Sequence, residues 1–188
     1  MRIFSIWTAM VLLTSTAMAS ASTFQNVITD ELYTEQNHPE LYCLAQNVYF
    51  EAKSEPLAGQ YAVADVVLNR VKDTRYPNTI CEVVKEGPIK ESWKTRQHAD
   101  LPDDQRVYFP KRNKCQFSWY CDGKPDTIRD GDAWRQAQIV AYRITYNERH
   151  RGLTEGATHY HADYVHPKWS STLQLVGRIA THIFYRWP

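Results

Sequence analysis

Residues 41–70 read LYCLAQNVYFEAKSEPLAGQYAVADVVLNR. The stretch resolves into two helices joined by a corner at Lys53–Pro56. In the first, Leu41, Leu44, Ala45, Val48, Tyr49 and Ala52 follow the i, i+3, i+4, i+7 spacing of one buried face. Its start is expected at His38-Pro39, because proline suits a first helical turn. Glu51 falls seven residues after Leu44, which places it about 20° from that apolar position at 100° per residue. It is a carboxylate at the border of a core face. Glu55 follows one turn later. The triplet Ser54-Glu55-Pro56 ends the first helix and opens the second, since a residue before proline avoids helical angles and Ser54 or Glu55 can cap.

The second helix, about Leu57 to Lys72, is apolar nearly all round, from Tyr61, Ala62, Val63 and Ala64 to Val66, Val67, Leu68 and Val71. Such a helix is the buried centre of its lobe. Gly59 lowers its intrinsic stability, which predicts a close backbone approach at that position.

Downstream the pattern shortens. Ile80 to Lys85 is a brief apolar piece. Residues 86–114 are rich in Lys, Arg, Asp and Pro and read as a long surface excursion with one helical turn around Ile89 to Trp93. Cys115-Gln116-Phe117-Ser118-Trp119 reads as a short strand. A third helix is expected from about Ala133 to Asn147, with Ala137, Val140, Ala141 and Ile144 on one face. Residues 157–162 alternate like a strand, Pro167-Lys168-Trp169 is a loop, and Val176 to Tyr185 is a strand or strand pair. Helices first, then short strands with one further helix, indicate an α+β domain.

At 188 residues, with 43% hydrophobic and 23% charged side chains, the chain suits one globular domain. Arg2, the apolar run Ile3–Leu13 and the small-residue patterns ending at Ala19 and Ala21 predict a Sec signal peptide over residues 1–21, cleaved after Ala19 or Ala21. Residues 22–37 form a lead-in segment, and 38–188 the functional domain. The mature chain is then periplasmic or extracellular and not membrane-spanning. Removing residues 1–21 takes away Arg2 and leaves formal neutrality from a net charge of +1, so nothing draws the mature protein to nucleic acid or acidic membranes as a whole. In an oxidising compartment Cys43, Cys81, Cys115 and Cys121 are expected to form two disulfides. Three connectivities are possible. Cys115–Cys121 as a short loop closure and Cys43–Cys81 as a tie between the first helix and the segment after the second is the favoured one.

Three constellations could carry chemistry. A carboxylate against apolar groups is disfavoured as an anion, so the pKa of Glu51 is expected to rise toward the range a general acid needs at neutral pH. A solvated or capping helix-end glutamate remains the alternative on spacing alone. The aromatic and polar set Gln116, Phe117, Ser118, Trp119 and Tyr160 could line a sugar-binding wall, although only one face of a strand can do so. Asn69 could hydrogen-bond near the site or cap its helix. His159 and His161 share a strand face and could ligate zinc, which keeps open an amidase acting through zinc-bound water. No H-E-x-x-H and no G-x-S-x-G occurs.

Five motifs in order, YFEAKSEPLAGQYAVADVVLNRV, YPNTICEVV, CQFSW, GATHYHADYVHPKW and THIFYR, resemble the bacterial cell-wall hydrolase family of SleB-type spore cortex-lytic enzymes, over about Leu41 to Arg186. The resemblance implies a lysozyme-like helical lobe with a small antiparallel sheet in a single domain. It implies a lytic transglycosylase cleaving the MurNAc–GlcNAc bond of peptidoglycan glycan strands to leave 1,6-anhydro-MurNAc ends, with no cofactor. It places the catalytic acid/base on Glu51, with Glu55 as a supporting carboxylate, and points to Tyr160 and His161 as cleft-lining hydrogen-bonders rather than metal ligands. A zinc-dependent N-acetylmuramoyl-L-alanine amidase, a hydrolytic muramidase and a non-catalytic wall-binding module are the other readings.

Overall fold

The structure is a computed structural model and describes residues 33–188. The expected signal segment and most of the lead-in lie outside the described residues. Helix α1 spans Pro39–Ala52 and α2 spans Leu57–Lys72. Short helix α3 (Ile80–Val84) is capped by Thr79, whose side chain accepts from Glu82 N. A long helix, α5 (Gly131–Tyr146), begins two residues earlier than the apolar period suggested. The reason is Asp130, whose carboxylate accepts from Ala133 N at 3.0 Å and sets the N-cap there.

Helix α2 is buried on two sides. Tyr61, Ala64 and Val67 join Leu44, Val48 and Tyr49 of α1 and Val140, Ala141 and Ile144 of α5 in the main core. Ala62 and Val66 face the other way and pack with Ala157 and Phe184 beneath the sheet. That sheet is antiparallel, in the order β3 (His159–Ala162), β5 (His182–Arg186), β4 (Gln174–Ile179). The expected terminal strand or strand pair is thus a hairpin turning at Ala180-Thr181. The loop before β4 tightens into a 3-10 turn at Lys168–Thr172. Gly59 meets this hairpin: a Cβ there would lie 3.2 Å from Ala180 Cβ and 3.0 Å from Glu55 Cβ. The small residue lets the hairpin turn seat on the α1–α2 corner.

Two expectations are corrected. Residues 115–121 are not a strand. Cys115 and Cys121 are linked with their Cα atoms 6.1 Å apart, whereas six extended residues would reach about 20 Å. The segment closes on itself as a 3-10 turn, Ser118–Cys121. The excursion is not one helical turn in a loop. Strand β1 (Ile89–Glu91) pairs antiparallel with β2 (Tyr108–Pro110), and the helical turn comes after β1, as α4 (Trp93–Arg96).

Cys43–Cys81 joins α1 to α3 across 38 residues, and Cys115–Cys121 closes the short loop. In the loop-entropy description the longer bridge contributes about 4 kcal/mol. Among the described residues no helix is long and apolar enough to cross a membrane.

Candidate active site around Glu51

Glu51 sits in the last turn of α1, half-buried, where the apolar face meets the sheet. Across from it β3 presents Tyr160, whose hydroxyl donates to Glu51 Oε2 at 3.1 Å. The Tyr160 ring is held edge-on to His182, centroids 5.0 Å apart, and tilted against Phe184 at 5.6 Å. Arg70, at the C-terminal end of α2, supplies the positive charge nearby. Its guanidinium is buried, donates through Nε to Thr158 O at 2.7 Å, and lies between the rings of Phe117 and Tyr76 at 5.1 and 5.3 Å.

These groups act on Glu51 in opposite directions. Burial raises its pKa, while the Tyr160 hydrogen bond and the Arg70 charge lower it, and burial prevails. Burial and the Glu51 carboxylate in turn push the Tyr160 phenol well above its ordinary range, so it stays a donor. The outcome is a carboxyl group with a pKa above its ordinary value and a hydrogen bond that orients it.

Glu55 is handled differently. Both its oxygens accept from Thr181, Oε1 from the hydroxyl and Oε2 from the backbone N–H. Burial would raise its pKa, but the two hydrogen bonds and neighbouring His182 bring it below the ordinary value. The carboxyl groups of Glu51 and Glu55, four residues apart, are therefore pushed in opposite directions. Glu55 also fastens the β4–β5 turn to the α1–α2 corner.

The other sequence candidates scatter. Gln116 and Ser118 are exposed on the disulfide-closed loop, while Phe117 and Trp119 point inward and belong to the main core. Trp119 stacks on Phe50 at 4.7 Å and donates from Nε1 to Asn47 Oδ1 at 3.1 Å. Phe117 reaches the site only as the floor under Arg70, so the expected aromatic wall of Phe117, Trp119 and Tyr160 does not form. Asn69 donates to Thr154 Oγ1 and Ala157 O at 3.0 and 2.9 Å and ties α2 to the turn before β3.

His161 is on the opposite sheet face from Tyr160, as successive strand residues must be. Its Nδ1–H donates to Ala162 O at 2.8 Å, which leaves Nε2 to accept from the Tyr185 hydroxyl at 3.0 Å. With both nitrogens engaged, His161 offers no lone pair to a zinc ion. Among the described residues, no three His, Cys, Asp or Glu side chains are grouped to hold a metal.

One polar centre escaped the sequence reading. Asp65 lies in the middle of α2, fully buried, and accepts from Arg151 Nη1, Gly152 N, Thr154 N and Thr154 Oγ1. It pins the turn that delivers β3, and so Tyr160, to the site. The available signal was a lone carboxylate on a helix apolar on every side.

Comparisons with known proteins agree with this architecture. The profile of the family described as Cell Wall Hydrolase matches residues 54–185, a segment that begins just after Glu51 and takes in Glu55, Arg70 and Tyr160. Spore cortex-lytic enzymes of Halalkalibacterium halodurans and Oceanobacillus iheyensis are each 43% identical, over 106 and 109 residues. Each alignment covers 53% of this chain, but only 32% and 38% of the relatives. The chain thus spans about a third of the length of the curated relatives it matches. Among solved structures, the catalytic domain of the germination-specific lytic transglycosylase SleB from Bacillus anthracis superposes with a TM-score of 0.51 at 24% identity, over 84% of this chain and 100% of that one. That likeness shows a shared fold of helices and small antiparallel sheets. With the profile covering well over half of its residues, the chain belongs to the cell wall hydrolase family.

Proposed function

We propose that this protein is an exported lytic transglycosylase of peptidoglycan, acting on the MurNAc–GlcNAc bond with Glu51 as its single acid/base. The observation that carries the reading is the half-buried Glu51 carboxyl, raised in pKa and oriented by Tyr160, beside a second carboxylate fully engaged by Thr181. The name of the curated relatives, spore cortex-lytic enzymes, supports a wall polymer as the substrate.

In this reading Glu51 delivers its proton to the glycosidic oxygen as the bond from that oxygen to muramyl C1 breaks. The resulting carboxylate then takes the proton of the muramyl C6 hydroxyl as that oxygen bonds to C1. Glu51 is again protonated, and the product is a 1,6-anhydro ring. The substrate supplies its own nucleophile, so the mechanism does not call for a second carboxylate holding water, which two-carboxylate glycosidases require.

A general acid works in its protonated form, so the rate on sacculi falls as pH rises through the pKa of Glu51. The Tyr160 hydrogen bond favours the carboxylate; removing it in Tyr160→Phe raises that pKa further. The expected result is an alkaline limb of the rate–pH profile displaced to higher pH. A limb that stays in place, or moves to lower pH, would contradict the assignment of Glu51 as the acid.

A further inference from the structure

The excursion between the α3 and Phe117 segments is a folded platform, not a slack loop. The β1–β2 ladder is extended by Ser92 N donating to Val107 O at 2.7 Å. Arg106 closes it from below, paired with Glu91 at 2.8 Å and donating to Ala99 O at 3.0 Å. Helical turn α4 is fixed by Ser92 Oγ, which accepts from Lys94 N, and by Thr95 Oγ1, which donates to Ser92 O. A platform built with this care nevertheless leaves Trp93 60% and Phe109 51% exposed. Lys90 and Phe109 are direct cross-strand partners and so share one face.

Trp93 and Phe109 line the same groove, of about 550 Å³, together with Lys90, Lys94 and Arg96. The groove's one carboxylate, Glu91, is neutralised by Arg106, whereas Lys90, Lys94 and Arg96 have no ion-pair partner among the described residues. The lining is two exposed aromatic side chains and three cations outside ion pairs, of which Lys94 Nζ lies 6.0 Å from the Trp93 ring centroid. That chemistry suits a sugar polymer with pendant carboxylates: the C–H faces of the rings stack on the aromatics, and the carboxylates meet the cations. The concavity suits a strand rather than a flat membrane surface.

The position is equally telling. The platform stands on the loop that carries Phe117, with Gln116 N donating to Glu86 O at 2.9 Å and Lys111 N to Pro88 O at 2.8 Å. Phe117 in turn supports Arg70 beside Glu51. The geometry points to a second binding site in this groove for a glycan strand with its carboxylate-bearing peptide stems, outside the Glu51 centre. Resting on the reading of peptidoglycan as substrate, the site raises the local concentration of polymer at Glu51 by holding a second stretch of the same strand.

The test is co-sedimentation of the full mature chain carrying Glu51→Gln with purified sacculi across a range of salt, with phosphatidylcholine–phosphatidylglycerol vesicles as a parallel arm. The expected result is that Trp93→Ala with Phe109→Ala weakens sacculus binding about tenfold or more. Trp93→Tyr, which keeps a stacking face, should restore part of it. Changing Lys90, Lys94 and Arg96 to Gln should weaken binding and flatten its salt dependence. Unchanged sacculus binding in both sets of variants, or binding to the vesicles in preference to sacculi, would overturn the proposal. Because the parent lacks the acid and the polymer stays intact, this outcome is independent of whether the glycan bond is cleaved.

Discussion

Replacing Glu51 by Gln is expected to reduce release of soluble fragments from sacculi by about 10²–10⁴-fold, the range a positioned proton donor contributes. Glutamine keeps the shape and still accepts from Tyr160, but it cannot give up a proton or take one back. The same substitution is expected to raise thermal stability at neutral pH. Burial raises the folded-state pKa of Glu51 above its unfolded value. Folding therefore favours the protonated form, and ionised Glu51 destabilises the native state above that window. The stability gain of Glu51→Gln should fade as pH falls below the ordinary carboxylate range, where both states carry the proton. Melting curves at acid and neutral pH measure it. A variant that loses activity because it unfolds would melt lower, not higher.

The largest stability effect is expected at Asp65. Its carboxylate is fully buried and takes four hydrogen bonds, one from the Arg151 guanidinium. Asp65→Ala leaves two backbone N–H groups and the Thr154 hydroxyl without that acceptor, and the guanidinium with only Asp65 O and Asn69 Oδ1. Removing one partner of a buried ion pair costs about 3–5 kcal/mol. Arg151 retains some solvent contact, which places the expected loss near the lower end, about 3 kcal/mol. That is a sizeable share of a stability of about 5–15 kcal/mol. Urea unfolding of the purified protein measures it, and a midpoint unchanged from the parent would show that the network holds nothing. Activity should fall with it even below the unfolding midpoint, because the Gly152–Ala157 turn carries β3 and Tyr160 into place.

What could be read in the chain tracks the length of each pattern. Helices α1 and α2 were legible because fourteen and sixteen residues give several turns of one period and Pro39 and Pro56 punctuate them. Glu51 stood out for the same reason: a carboxylate twenty degrees from a core position is visible only once the helix is. Residues 157–162 alternate like a strand and β3 forms there, but with His161 on the face opposite Tyr160, so the two do not line one cleft wall. Strands of three residues such as β1 and β2 carry no period, so the platform read as a loop. Residues 115–119 read as a strand because Phe117 and Trp119 alternate with polar neighbours, while the Cys115–Cys121 disulfide forces a turn. Asp65 was invisible as a centre because its partners lie 86 to 89 residues away, on a turn whose conformation no local pattern announces.

Residue spacing alone does not separate Glu51 from Glu55; only the family resemblance implied that split. Both sit at the end of α1 or its corner, and both could cap or catalyse. Only the hairpin turn brings Thr181 to Glu55 and only β3 brings Tyr160 to Glu51. Distant strands thus give two similar carboxylates different partners and opposite pKa shifts.

In the proposed function Glu51 acts alone and the substrate closes on itself. Mass spectrometry of muropeptides released from purified sacculi by the mature protein tests it most directly. The expected products carry 1,6-anhydro-MurNAc ends, lighter by one water than hydrolysed ends, and are lost in Glu51→Gln. Reducing MurNAc ends as the main product would contradict the self-closing mechanism, and free stem peptides with intact glycan would contradict glycosidic cleavage altogether.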